Sequence, residues 1–232
     1  MVFCSVLYAD NLQEGMKAGR SGDYVKAHDL WLPEAQNGNP EAQYKLAHLY
    51  IGGFYSTNEG LMKDLQEAEK WLLRAAEHGH ADAQYDLGII YAQGPLKDPE
   101  KAIKWLTVAA EKGRPEAQYN LGYMYATGAG VGVDFGSAET WIRKSAMQGF
   151  PQAQFMLGGM YYEGKGVTQD ATEAYAWWTL ARDDGYSDAE KLVRKADDQW
   201  DDKIIEAGKW RAAEIQAEMM NSQLRSGNGK QQ

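Results

Sequence analysis

The sequence predicts an all-α fold of stacked helix-turn-helix repeats, and three ladders of recurring residues predict it. Tetrapeptides of the form EAQY begin at residues 41, 82, 116 and 152, and tryptophans recur at residues 71, 105, 141 and 177. Glycines recur at residues 38, 79, 113, 149 and 185, and spacings of 34 and 36 residues occur in all three ladders. Because a unit of this length cannot bury its own apolar face, the period indicates hairpins that stack on one another.

The composition excludes several classes of protein. The chain has 232 residues, with 24 Lys and Arg against 33 Asp and Glu, so its formal net charge is −9. Nucleic acid is therefore not expected as a partner, since phosphate binding needs clustered cations. A single cysteine excludes an intramolecular disulfide framework and any CxxC metal or redox motif. The sequence contains no run of about 18 apolar residues, so it predicts no membrane span.

The first helix of each repeat carries an apolar stripe. In the run AQYNLGYMY, Ala117, Leu121 and Tyr125 fall on one face at i, i+4 and i+8. A glycine lies beside that stripe in three repeats, although glycine inside a helix costs roughly 1 kcal/mol relative to alanine. We therefore expect a neighbouring helix to approach closely at three structural glycines: Gly88, Gly122 and Gly158.

The second helix of each repeat carries the tryptophan ladder. In EKAIKWLTVAAEKG, Trp105 lies on the apolar stripe, and Gly113 ends the helix as a left-handed residue. Glycine-rich loops such as GAGVGVD at residues 128–134 join the two helices. The sequence therefore predicts core positions for four tryptophans: Trp71, Trp105, Trp141 and Trp177.

The pattern AQYxLGxxYxxGxGVxxDxxxAxxWxxKAAxxG resembles the Sel-one-like repeat, a relative of the tetratricopeptide repeat. The resemblance covers residues 39–185 as four units, at about 39–79, 80–113, 114–149 and 150–185. It implies a right-handed α-solenoid, or superhelix, that acts as an adaptor or scaffold and is not an enzyme. Two inter-helix loops depart from the pattern, because residues 51–64 are longer and residues 94–98 are shorter, so these turns are expected to be the least regular.

The segments that flank the repeats complete the predicted domain organisation. Residues 10–38 resemble a divergent N-terminal hairpin, residues 186–222 are predicted to form capping helices with a polar outer face, and residues 223–232 a disordered tail. The apolar residues 1–9, MVFCSVLYA, resemble the end of a truncated secretory leader. That interpretation predicts a periplasmic or secreted protein. The alternative is a hydrophobic first turn in a cytoplasmic one.

Motifs for chemistry are absent from the sequence. GAGVG lacks the third glycine of a dinucleotide-binding loop and follows no strand, and no GxxxxGK[ST], HExxH, GxSxG or SxxK motif occurs. His78 and His80 could supply a surface metal site, but they lie in a turn between units, where polar residues are ordinary. We therefore predict no catalytic residue, no metal and no cofactor.

Aromatic and apolar residues on the first helices form the candidate binding surface. Mapped onto the tetratricopeptide pattern, one ladder points toward the concave groove of the solenoid, where a peptide or a partner helix would be held. The alternative is that these rings only pack between adjacent hairpins. The groove residues are Tyr44, His48, Tyr85, Ile89, Tyr119, Tyr123, Phe155 and Tyr162.

The functional prediction is a non-enzymatic scaffold that binds a protein or peptide partner in this groove. A preorganised surface of this kind binds without first having to order itself. The alternative is a cell-envelope protein that binds or weakly hydrolyses β-lactams or peptidoglycan, as the resemblance to a cysteine-rich branch of the family implies. This chain has one cysteine and departs from that branch, and a nitrocefin assay separates the two classes.

Overall fold

The structure is a computed structural model that describes residues 2–52, 56–57, 60–61, 64–94 and 96–228. Side chains are described within residues 11–52, 64–94 and 96–225. The chain divides into two compact units, Met1–Lys97 and Asp98–Gln232.

Helices make up nearly all of the described chain. The helices of the first unit are α1 (Val2–Arg20), α2 (Tyr24–Gln36), α3 (Pro40–Gly52), α4 (Leu65–Glu77) and α5 (Ala81–Gln93). The helices of the second unit are α6 (Pro99–Glu111), α7 (Pro115–Thr127), α8 (Phe135–Ala146), α9 (Pro151–Glu163), α10 (Ala171–Asp183), α11 (Ser187–Gln199) and α12 (Asp202–Asn228).

The predicted all-α fold of stacked helix-turn-helix repeats is confirmed. In the first unit, α1 packs on α2, α2 on α3, α3 on α4 and α4 on α5. In the second, α6 packs on α7, α7 on α8, α8 on α9, α9 on α10, and α10 on both α11 and α12.

The long loop between α3 and α4 departs from a purely helical fold. Two short strands, β1 (Ser56–Thr57) and β2 (Gly60–Leu61), pair antiparallel there. The prediction that this turn is the least regular falls partly on residues 53–55, 58–59 and 62–63, which lie outside the described residues.

An aspartate begins the second helix of each repeat. The side chains of Asp64, Asp98, Asp134 and Asp170 accept hydrogen bonds from backbone amides of the first turns of α4, α6, α8 and α10. Such N-caps pair amides that have no partner inside the helix. The final D of each loop motif therefore fixes where the second helix starts.

The glycine ladder ends these second helices in the left-handed conformation, as predicted. Gly113 has φ 90° and Gly149 has φ 84°, values that residues with a Cβ rarely adopt. The amide of Gly113 donates to the carbonyl of Ala110, and the chain then reverses into α7.

The capping helix α12 covers the apolar side of α10. Ala212, Ile215 and Met219 join a buried cluster that includes Leu157 and Trp177. The guanidinium Nε of Arg211 lies 2.6 Å from the Glu173 carboxylate, which ties α12 to α10.

The structure bears on three sequence expectations for the termini. The outer face of α12 is only partly polar, because it exposes Trp210, Met220 and Leu224. The same helix extends to Asn228, so residues 223–228 are helical where a disordered tail was predicted, and residues 229–232 lie outside the described residues. Helix α1 takes in residues 2–9, Met1 lies outside the described residues, and the leader assignment stays a prediction.

Candidate functional site

Three rings of the aromatic ladder contact the side chain of the residue that begins the next hairpin. Tyr44 stacks on His80, with ring centroids 4.4 Å apart and planes 21° apart. Tyr119 contacts Phe150 at 5.5 Å, and Phe155 contacts Tyr186 at 5.0 Å. His80, Phe150 and Tyr186 are the N-cap residues of α5, α9 and α11. These ladder rings therefore pack between consecutive hairpins, and each remains partly exposed.

A polar cluster surrounds the first of these rings. The Tyr44 hydroxyl donates to Asp86 at 3.1 Å, and His48 Nε2 lies 2.9 Å from the same carboxylate oxygen. His80 Nε2 lies 2.9 Å from Glu41. Burial alone would raise the pKa of Glu41, but hydrogen bonds from His80 and Lys45 lower it overall. His48 is exposed, whereas Tyr85 and Ile89 on α5 are partly buried.

The paired histidines of the turn at residue 79 have different partners. His78 Nδ1 lies 3.0 Å from Gln43 Oε1, while His80 faces Glu41. Among the described residues, no group of three or more His, Cys, Asp and Glu side chains could hold a metal ion. A metal at this turn has no structural support.

Two tyrosines of the predicted groove present exposed rings in the second unit. Tyr123 is 46% exposed and Tyr162 is 49% exposed, which is high for aromatic side chains. Tyr119 lies 6.3 Å from Tyr123, and burial, with the nearby Tyr186 and Tyr123, raises the pKa of Tyr119. The groove residues of α7 and α9 thus include both packed and exposed rings.

A pocket of about 390 Å³ lies among α9, α10 and α11. We call it the aromatic pocket, and its walls are Phe155, Gly159, Tyr162, Glu163, Trp178, Leu192, Lys195, Ala196, Gln199 and Trp200. The Tyr162 and Trp200 rings are nearly parallel, with centroids 5.9 Å apart, and Trp178 lies 5.5 Å from Tyr162. Two predicted groove residues, Phe155 and Tyr162, therefore line this pocket together with two tryptophans.

Trp178 takes its place in the pocket because Gly158 gives it room. A Cβ added at Gly158 would lie 2.5 Å from Cδ1 of Trp178. The indole N–H of Trp178 donates to the backbone carbonyl of Phe155 at 3.2 Å. Trp178 is 4% exposed, so it is held as firmly as a core residue while its ring forms part of the wall.

Gly159 keeps the pocket open. It follows Gly158 in the fourth repeat, at the position that His48, Ile89 and Tyr123 hold in the first three. A Cβ added at Gly159 would meet no atom within 4 Å, so packing does not require a glycine here. Glycine inside a helix costs roughly 1 kcal/mol relative to alanine. The fourth repeat therefore carries a glycine that destabilises α9 and leaves the ladder position empty.

A second hollow of about 310 Å³, more open to solvent, lies among α1, α2 and α3 in the first unit. Trp31 forms part of its wall and packs on Gly15, with its indole N–H donating to the Leu12 carbonyl at 3.3 Å. Lys45 and His48 lie at its edge, and each has an acidic partner, Glu41 or Asp86.

The residues predicted as core fall into two groups. Trp71, Trp105 and Trp177 are 4%, 7% and 1% exposed. Trp141 is only partly buried, and the structure contradicts its core placement, because the neighbouring Ile142 fills the buried position of α8. Gly88, Gly122 and Gly158 are all buried. A Cβ at Gly122 would lie 2.7 Å from Ile142 Cγ1, so close helix approach explains this glycine.

Sequence reasoning missed Trp178 and Trp200 as surface-forming residues. Trp177 is the residue that continues the tryptophan ladder. Trp178 aligns with Ile142 of the third repeat and is therefore not part of that ladder. The available signal was the glycine pair at 158 and 159, because two consecutive glycines inside a helix need a reason beyond helix formation.

The repeats match a known family, and the chain is similar to solved structures of repeat proteins. The family described as Sel1 repeat matches residues 40–80, 81–113, 115–150 and 151–186. A protective antigen of uropathogenic Escherichia coli strains that displays an SLR fold is 30% identical with a TM-score of 0.74, and the match covers 90% of this chain and 45% of that one. A Sel1 repeat protein from Oxalobacter formigenes is 28% identical with a TM-score of 0.71, covering 80% of this chain and 75% of that one.

Among curated proteins, an exopolysaccharide production negative regulator of Rhizobium meliloti is 36% identical over 74 residues. The match covers 31% of this chain and 26% of the regulator. The chain thus spans about a quarter of that relative and under half of the Escherichia coli antigen.

Proposed function

The chain belongs to the Sel1 repeat family, whose members are generally protein-interaction scaffolds, and we propose that it binds a protein partner through the aromatic pocket. The fold is typical of non-catalytic scaffolds. No helix among the described residues is both long and apolar enough to cross a membrane.

The aromatic pocket is the single observation that carries this proposal. Its rings are large, apolar and already in place, with the polar tip of Tyr162 at a half-exposed position. Aromatic side chains of this kind supply much contact area at a low entropic cost. A partner that inserts an apolar side chain therefore gains burial without having to order the pocket first.

The surrounding contacts hold the pocket in shape. The Tyr175 hydroxyl donates to Asp197 at 2.7 Å and joins α10 to α11, and burial together with this bond raises the pKa of Tyr175. The hydrogen bond from its indole N–H to the Phe155 carbonyl holds Trp178 in place. These hydrogen bonds hold the three helices of the pocket wall in fixed positions. The pocket therefore binds a partner as a rigid surface.

The exposed rings of Tyr123 and Tyr162 are the remaining support for a binding role of the predicted groove. Tyr44 and Tyr119 have ring contacts within the fold and do not line the aromatic pocket, so we assign them a packing role. No observation on the described residues favours the β-lactam alternative, which stays a prediction from the resemblance.

Affinity capture from a native extract tests the proposal. The variant Gly159→Tyr restores the ring that Tyr123 supplies in the third repeat and fills the pocket. Gly132→Tyr is the matched control, because a Cβ at Gly132 also meets no atom within 4 Å and this glycine lies in an exposed loop. We expect at least one captured protein to be retained by the wild type and by Gly132→Tyr. The same protein should not be retained by Gly159→Tyr.

Circular dichroism establishes beforehand that both variants are folded. A partner that all three proteins retain equally would show that the pocket is not the binding surface. The exposed ring of Tyr123 on α7 would then be the next candidate.

A further inference from the structure

We propose that the aromatic pocket binds an acidic apolar peptide segment, in which a large apolar or aromatic side chain enters the pocket and a flanking carboxylate pairs with Lys195. This inference rests on the proposed function and names the chemistry of the partner. It depends on the volume of the pocket, the empty position at Gly159 and the charges at the rim.

The volume of the pocket suits a single large side chain with adjoining backbone. At about 390 Å³ it lies at the lower end of ligand-binding pockets, which span roughly 300 to 1,000 Å³. Its lining includes Phe155, Trp178, Leu192 and Ala196, which offer no charge to a ligand. A ligand side chain that packs on these residues is therefore apolar.

The empty position at Gly159 lies where the occupant would enter. Any side chain there would project into open space, and the corresponding residues of the other repeats are His48, Ile89 and Tyr123. Glycine also lets a ligand backbone approach a helix closely. The incoming chain can thus pass over α9 at this residue.

The charges at the rim favour a carboxylate. Two charged residues line the pocket, Glu163 and Lys195. Glu163 is paired with Lys165 at 2.6 Å, whereas Lys195 has no ion-pair or hydrogen-bond partner within the part of the chain that the structure describes. The available charge on the wall is therefore positive.

Five other charged side chains of α11 have partners within the fold, whereas Asp198 has no ion pair among the described residues and does not line the pocket. Lys191 pairs with Asp188 at 2.7 Å, Arg194 pairs with Glu190 at 2.5 Å, and Asp197 accepts the Tyr175 hydroxyl. The net charge of −9 favours basic partners at long range. Salt screens this field beyond about 8 Å at physiological ionic strength, so direct contact with Lys195 decides the local preference.

Fluorescence polarisation with three labelled peptides tests this inference on the full chain. The peptides share one Gly-Ser frame and differ only at the centre, which reads Asp-Phe-Asp, Ser-Phe-Ser or Lys-Phe-Lys. We expect Asp-Phe-Asp to bind roughly fivefold tighter than Ser-Phe-Ser at low salt, and Lys-Phe-Lys to bind weakest. Lys195→Gln should remove the preference for Asp-Phe-Asp over Ser-Phe-Ser, because the variant has no charge to pair with the flanking carboxylate.

The pocket-filling variant separates the two proposals. Gly159→Tyr should lose all three peptides and Gly132→Tyr should lose none. If Ser-Phe-Ser binds as well as Asp-Phe-Asp, or if Lys195→Gln changes nothing, the acidic preference is wrong while the pocket remains a binding site. If Gly159→Tyr leaves binding unchanged, or no Phe peptide binds, the pocket proposal itself is overturned. A wild-type dimer that Gly159→Tyr makes monomeric in sedimentation would assign the pocket to a second copy and also overturn the inference.

Discussion

Gly158 and Trp178 are in direct contact, because the indole ring occupies the space that a Cβ of Gly158 would need. The adjacent Gly159 has no such neighbour. Two consecutive glycines of α9 therefore have different reasons to be glycine.

We expect alanine at these two positions to change stability in opposite directions. Gly158→Ala should destabilise the protein by about 1 to 2 kcal/mol, because crowding Trp178 and the carbonyl of Ala174 outweighs the gain in helix propensity. Gly159→Ala should stabilise it by about 1 kcal/mol, because only the gain remains. Urea unfolding measures both, and equal shifts would contradict the assigned contact.

Tryptophans of the ladder should differ in their contribution to stability. Trp105 is 7% exposed, and Trp105→Ala should destabilise by about 3 to 5 kcal/mol through the lost burial and the cavity left behind. Trp141 is partly exposed, and Lys144 Nζ lies over its ring at 4.1 Å from the centroid. Trp141→Ala should therefore lower the free energy of unfolding by about 1 kcal/mol. Chemical denaturation of the two variants should therefore separate them. A loss below about 1 kcal/mol for Trp105→Ala would show that its burial is misassigned.

The buried glutamines of the first helices provide a second matched pair. Gln118 donates to the carbonyl of Ala110 at 3.0 Å and accepts from Gln148 at 2.8 Å. Gln118→Met should destabilise by about 1 to 3 kcal/mol, because the Ala110 carbonyl of α6 and the Gln148 amide, in the turn after α8, each lose the hydrogen bond to Gln118.

Gln154 is fully buried, and its amide has no hydrogen-bond partner among the residues described. Gln154→Met should therefore be neutral or stabilising, since no bond is lost and the buried amide is removed. Thermal unfolding compares the two methionine variants. A similar loss at both positions would mean that Gln154 is also paired.

Acid should weaken the fold through Glu41. Its pKa is lowered from the usual value of 4.5 in the folded state, so its contribution to stability is present above about pH 4.5 and is lost as the pH falls through the folded pKa. Unfolding by urea at a series of pH values from about 6 to about 3 should show this loss. In Glu41→Gln the slope over that window should be smaller. An unchanged slope would place the acid sensitivity elsewhere.

The repeating elements could be predicted from sequence because each depends on local geometry. Gly113 ends a helix in the left-handed backbone conformation. The Asp134 side chain caps α8 by accepting hydrogen bonds from backbone amides of its first turn. Both follow from a few neighbouring residues, so a single repeat contains the signal.

The pocket could not be predicted because it depends on residues far apart in sequence. Trp200 lies beyond the last repeat. In the sequence Trp178 only follows a ladder tryptophan, and its place in the pocket depends on its contact with Gly158. The burial of Ile142 in place of Trp141 likewise depends on the close approach to Gly122. Tertiary contacts of this kind override the periodicity of a single helix.

The contact between ladder rings and N-cap residues has a consequence for transplanting repeats. A segment cut as residues 115–150 carries Tyr119 together with Phe150, and a segment cut as 151–186 carries Phe155 together with Tyr186. If the segment is cut one residue earlier, as 114–149, it contains Tyr119 but lacks its contact partner Phe150. The smallest cassette that can be duplicated or grafted with its junction intact therefore ends on the first residue of the following hairpin.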